Sequence, residues 1–175
     1  DELRERVGRV LAREHVPGVA IAMVGGDAPI WIGGVGVADE TTRAPVTADT
    51  VFRAASITKM VVALGVMRLV EQGKLDLDAP LQLPGVTIDT PWRAEAPVTL
   101  AEVLEHTAGF DDMHFNELFA PDDAMTPAEA LALNPRSRAV RWRPGTRMAY
   151  SNVGYTVAAR AIEVATGKPF DAYLH

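Results

Sequence analysis

Ser56 and Lys59, three residues apart at the head of a long apolar run, are the residues of this chain best suited to chemistry. On a helix that spacing puts both side chains on one face, so the amine can reach the hydroxyl. A helix start adds backbone N–H donors and the positive end of the dipole, which favour negative charge developing at the serine. Far along the chain, Tyr150-Ser151-Asn152 supplies a phenol and an amide. Nucleophile, amine, phenol and amide together are the groups used in acyl transfer through a serine. The plainer reading makes Ser56 a helix cap and Lys59 a first-turn surface residue. A first-turn lysine opposes the dipole, however, and the face around it is apolar. Only three serines and three lysines occur in the chain, so an accidental Ser-x-x-Lys pair is rare.

The elements that must position these groups are legible from periodicity and punctuation. Leu3, Val7, Val10 and Leu11 recur at helical spacing, so residues 2–14 read as a surface helix with one buried stripe, ended by Pro17-Gly18. Residues 19–24 and 30–37 flank the turn signal Gly25-Gly26-Asp27 and predict a β-hairpin. Gly33, Gly34 and Gly36 in its second strand point to a bulge or a close backbone approach. Residues 56–72 are apolar nearly all round, the pattern of a core helix, with Gly73 as its stop. Lys59 at the start of such a helix must be paired or neutral. Thr99 with Glu102, and Thr126 with Glu129, each fit a capping box. Residues 110–123 between them read as an irregular, polar, cleft-lining loop. Residues 152–166 carry an apolar stripe stopped by Gly167, and Pro169 opens a last helix. Helix, hairpin, then a mostly helical stretch is an α+β arrangement: residues 1–50 hold the helix and hairpin, residues 51–175 the mainly helical part.

At 175 residues, with 48% hydrophobic and 23% charged residues, the composition is that of a globular domain. A net charge of −6 argues against nucleic acid as a partner. No apolar run is long enough for a membrane span, and no stretch reads as a signal peptide. Without cysteine there are no disulfides and no thiol chemistry.

Residues 52–59 (FRAASITK), 103–110 (VLEHTAGF), Pro144-Gly145-Thr146 and residues 150–155 (YSNVGY), with residues 73–81 (GKLDLDAPL), resemble the serine β-lactamase and penicillin-binding superfamily. The similarity is greatest to its class C β-lactamase-like branch, which includes D-alanyl-D-alanine carboxypeptidases and esterases. The order is kept over nearly the whole chain, and Tyr-x-Asn in place of Ser-Asp-Asn points away from class A. The resemblance implies a β-lactamase/transpeptidase-like fold and a serine hydrolase acting on a β-lactam, a D-amino-acid peptide or an ester. It makes Ser56 the nucleophile, Lys59 and Tyr150 the proton-transfer groups, and Asn152 the residue that orients Lys59 and binds a substrate carbonyl. The Ser56 backbone N–H supplies one oxyanion donor. No cofactor or metal is implied, and an extracytoplasmic compartment is favoured. No Lys-Thr-Gly or His-x-Gly follows Asn152, so the later sheet strands are missing and the chain looks like the N-terminal half of such a domain. A lone hairpin leaves an unpaired edge, so pairing with a second chain or a missing C-terminal half is expected. The alternative to an enzyme is a non-catalytic scaffold or ligand-binding half-domain with an incomplete site.

His106, Asp111, Asp112 and His114 cluster in sequence but lack zinc-motif spacing, and His106 reads as a helix-closing residue. Arg136, Arg138, Arg141, Arg143 and Arg147 read as a solvated loop anchored by Trp142, or else as a source of one guanidinium for a substrate carboxylate.

Overall fold

The computed structural model describes residues 2–112, 125–133 and 135–175. His114 and most of the predicted cleft-lining loop lie outside the described residues. The chain divides into two compact units, residues 1–54 and 55–175.

The first unit holds helix α1 (Glu2–Glu14) and strands β1 (Gly18–Gly25) and β2 (Ala28–Gly36), paired antiparallel with Gly18 opposite Gly36. The hairpin is as predicted. Its bulge falls between Met23 and Val24, not at the glycines. Gly34 and Gly36 serve close approach instead. A Cβ on Gly34 would strike the Val46 backbone, and one on Gly36, at φ +84°, would strike the Pro17 carbonyl. The predicted buried stripe of α1 is only half-covered: none of its residues is buried, and Leu3 and Val10 are exposed.

The second unit is built on α5 (Asn152–Thr166), which touches α2 (Thr58–Glu71), α3 (Leu100–Leu104), α4 (Pro127–Leu133) and α6 (Phe170–Leu174). Val157, Ala158, Ala161 and Ile162 of α5 are buried, and the small residues among them let neighbouring helices come close. They pack with Val62, Val66 and Leu69 of α2, Leu100 and Val103 of α3, and Leu131 of α4. The helix ends follow the sequence. Both capping boxes form, Thr99 with Glu102 and Thr126 with Glu129. Beyond α2, Gly73 takes a left-handed φ of 67°, its N–H donating to Val70 O and the Lys74 N–H to Leu69 O.

Two expectations require correction. Helix α2 is not enclosed: its uniform apolarity conceals one buried stripe, while Met60 and Leu64 are 65% and 68% exposed. The arginine run is not uniformly solvated. Arg138 is buried, its guanidinium donating to the Thr87 and Leu131 carbonyls, and Arg141 pairs with Asp111.

Leu69→Ala should therefore lower unfolding stability by about 2–5 kcal/mol through the cavity it leaves. Leu64→Ala, on the exposed stripe of the same helix, should stay within about 0.5 kcal/mol. Equal losses in urea denaturation of the two variants would contradict this division of α2 into faces.

Candidate active site

Ser56 does not sit on the α-helix proper. It lies in a 3-10 turn, Ala55–Ile57, that leads into α2. The turn keeps residues i and i+3 on one face, so the Ser56–Lys59 geometry survives the change of helix type. Ala55, directly before the serine, has φ 46°, a left-handed conformation that costs a non-glycine residue energy and sets the angle at which Ser56 is presented.

The structure brings all four sequence-predicted site residues together. Lys59 Nζ donates to Ser56 Oγ at 3.2 Å and to Asn152 Oδ1 at 2.9 Å. The Tyr150 hydroxyl donates to Ser56 Oγ at 2.7 Å. Lys59 Nζ also lies 4.7 Å from the Tyr150 ring centroid and 5.5 Å from that of Tyr155. An ammonium carries only donors, so it is satisfied here by two oxygens and two aromatic faces. Ser56 is exposed, Tyr150 is 47% exposed, and Lys59 and Asn152 are half-buried. Beside them a recess of about 340 Å³ is lined by Lys59, Asn152, Val62, Tyr155 and Phe170, with Met125 and Pro127 from the start of α4. Tyr150 is held below the ordinary tyrosine range, first by the Lys59 side chain and then by Ser56, both of which can donate to the phenolate.

Two further residues hold this constellation, and the sequence suggests neither for that role: His106 reads there as a helix-closing residue, and both read as weak metal candidates. His106, at φ 63°, grips the chain on both sides of Tyr150: its carbonyl accepts from the Ala149 N–H at 2.8 Å, and its Nδ1 from the Ser151 N–H at 3.0 Å. Its ring lies against the Tyr150 ring, centroids 4.5 Å apart. Accepting at Nδ1 fixes the neutral tautomer with hydrogen on Nε2. Asp112 takes the Asn152 N–H at 2.7 Å and the Val153 N–H at 3.2 Å at the start of α5. Among the described residues no group of three or more carboxylates and imidazoles could hold a metal ion. The sequence signal for either residue is position alone: both flank the turn at Gly109, and nothing there names Tyr150 or Asn152 as a partner.

The family model for beta-lactamase matches residues 3–175, and the chain belongs to that family. It is 31% identical over 171 residues to penicillin-binding protein 4 of Amycolatopsis lactamdurans, covering 96% of this chain and 43% of that protein. It is 32% identical over 149 residues to esterase EstB of Burkholderia gladioli, covering 78% of this chain and 38% of that protein. Among solved structures it resembles the octameric penicillin-binding protein homologue from Pyrococcus abyssi, with TM-score 0.83, 28% identity, and coverage of 99% of this chain and 40% of that one. It also resembles D-amino acid amidase from Ochrobactrum anthropi SV3, with TM-score 0.76, 30% identity and coverage of 98% and 46%. The α+β, β-lactamase/transpeptidase-like fold is thereby established, and the chain spans less than half the length of these relatives.

His106 is held below its ordinary value of 6.5, first by burial and then by the Lys59 cation. Between the two values the unfolded chain binds the proton and the folded one does not. The stability that neutral His106 contributes is thus present above about pH 6.5 and is lost as pH falls through the lowered value. Melting temperature should drop on acidification through that window, and His106→Gln should flatten this part of the profile. An unchanged slope in the variant would show that His106 titrates alike in both states.

Proposed function

We propose, from membership of the beta-lactamase family and the contacts at Ser56, that these residues carry a serine hydrolase or acyltransferase site acting on a β-lactam, a D-amino-acid peptide or an ester. The observation that carries this reading is the double approach to one hydroxyl: Lys59 Nζ at 3.2 Å and Tyr150 OH at 2.7 Å from Ser56 Oγ, brought from distant parts of the chain.

In the proposed reaction Ser56 Oγ attacks the carbonyl carbon and a C–O bond forms, while the serine proton passes to the Tyr150–Lys59 pair. Tyr150 accepts the serine proton as a phenolate, its own proton having first passed to solvent across its exposed edge. Its lowered pKa supports that role. Collapse of the tetrahedral intermediate breaks the bond to the alcohol or amine, which takes that proton and departs, or in a β-lactam stays tethered to the acyl group. Water then attacks the acyl-Ser56 ester, releasing the acid and returning the proton to Ser56. Asn152 Oδ1 holds Lys59 in place, and one hydrogen of its Nδ2 is available to a substrate carbonyl. The recess beside Lys59 and Asn152 is large enough to hold a compact acyl group.

The relatives named above are a penicillin-binding protein, an esterase and an amidase, and this spread is why the leaving group is left as alcohol or amine. Incubation with a fluorophosphonate and with a penicillin, followed by mass spectrometry, should place the adduct on Ser56 in this chain or in a longer protein that contains it. Ser56→Ala should abolish the adduct. Lys59→Ala should slow its formation by roughly 10²–10⁴-fold with the fold intact, the range for a lost proton-transfer group. An adduct that persists in Ser56→Ala would sink the nucleophile assignment, and no adduct in any form would favour the scaffold alternative.

A further inference from the structure

Asp112 is delivered to the start of α5 by a segment anchored through Phe110 in the core and Asp111 on Arg141. Residues 109–112 run beside residues 137–141, with the Arg141 N–H on Gly109 O at 2.8 Å, the Asp111 N–H on Ala139 O at 3.0 Å and the Asp112 N–H on Ser137 O at 3.2 Å. Asp112 then turns into the left-handed region, φ 67°, and its side chain meets α5.

There Oδ1 accepts from the Asn152 and Val153 backbone N–H groups at 2.7 and 3.2 Å and from the Ser151 hydroxyl at 3.4 Å. The second oxygen, Oδ2, accepts from the Asn152 side-chain Nδ2 at 3.4 Å. Satisfying α5's first N–H groups needs only one oxygen, because Ser151 already caps Gly154 N at 3.2 Å. The contact to Nδ2 does something else. A carboxylate is acceptor-only and an ammonium donor-only, so an amide lying between them has one permitted orientation. Nδ2 must face Asp112 and Oδ1 must face Lys59, as observed.

We propose that Asp112 is a positioning residue whose carboxylate sets the polarity of the Asn152 amide, and through it the place of the Lys59 ammonium beside Ser56. The inference rests on the serine-acylation reading of the site. It differs from a helix-capping role in depending on the direction of the hydrogen bonds, and that direction can be inverted.

Asp112→Asn keeps an oxygen for the helix N–H groups and suits the left-handed backbone, but sets an amide NH₂ against Asn152 Nδ2. The Asn152 amide must then lose that contact or flip and point its own NH₂ at Lys59. Asn152→Asp alone places two carboxylates against each other. Combined, the two substitutions exchange the roles. The carboxylate now at position 152 accepts from Lys59 and from the amide now at position 112, and the row of donors and acceptors is whole again.

The test is the rate at which a fluorophosphonate labels Ser56, its Oγ displacing fluoride from phosphorus with the proton leaving with it. This probe makes no use of an amide donor at Asn152. The rate is measured on this chain, or on a longer protein that contains it, with thermal melts alongside. Each single variant should lose roughly 10- to 100-fold, the scale of a displaced supporting residue. The double variant should recover most of that loss, a coupling no cap predicts. Should Asp112→Asn fail to fold, Asp112→Ser, which can cap but cannot reach Nδ2, takes its place and should lose the same rate. Wild-type rates in a folded Asp112→Asn or Asp112→Ser would overturn the positioning role while leaving Ser56 as nucleophile. Losses in the single variants that the double variant does not recover would reduce Asp112 to a cap. Failure of wild type to label would instead overturn the serine reading itself, and this inference with it.

Discussion

The Lys59 ammonium donates to Ser56 Oγ and to Asn152 Oδ1, and through these two bonds the approach to α2 and the start of α5 share a single cation. An ammonium has hydrogens to give and nothing with which to receive. Every group around it must therefore be an oxygen with lone pairs or the face of a ring, and the surroundings obey this: a hydroxyl, an amide oxygen, and the rings of Tyr150 and Tyr155. The same charge acts on its neighbours. It lowers the Tyr150 phenol and, after burial, the His106 imidazole. Lys59 is thus one cause common to both shifts, beside burial at His106 and Ser56 at Tyr150.

Holding that cation still is the work of α5 and the loop after α3. Buried on the faces that meet α2, α3 and α4, α5 offers its N-terminus at a fixed place, with Ser151 as its cap. Segment 106–112 closes over it. His106 fastens the backbone on either side of Tyr150, and Asp112 fastens the two residues that follow Ser151. Tyr150 and Asn152 are consequently held by their backbones as well as by their side chains. Both of the residues that do this have positive φ, so the local strain of segment 106–112 is concentrated where the site is gripped.

Local chemistry is the legible part of the sequence. The Ser56–Lys59 spacing, the two capping boxes, the glycine stops and the hairpin turn are each decided within a few residues, and each stands where the sequence puts it. The role of Asp112 is not legible. Its partners lie forty residues away, and the strand-like pairing of 109–112 with 137–141 that carries it there has no periodic signature in either segment. The facing of α2 is hidden for the opposite reason, since a helix apolar on every side gives no direction to read. The burial of Arg138 escapes the sequence because the Thr87 and Leu131 groups it donates to are main-chain carbonyls, which no pattern of side chains reveals.

The directions of the hydrogen bonds constrain the order of events in the proposed acylation. Ser56 Oγ lies 3.2 Å from Lys59 Nζ and 2.7 Å from the Tyr150 hydroxyl oxygen, so its proton has two neighbouring acceptors. For that proton to leave along the short bond to Tyr150, the bond must reverse, which requires the phenolate. A cation beside the ring and at the shared hydroxyl favours the phenolate without surrendering a proton itself. Lys59 can then remain the donor that Asn152 Oδ1 and Ser56 Oγ both need. Were Lys59 instead a neutral amine, its lone pair could take the serine proton while its two hydrogens kept the contact to Asn152 Oδ1. The contacts at Ser56 thus serve either route for the serine proton, through Tyr150 or through Lys59, with Asn152 Oδ1 as the fixed point of both.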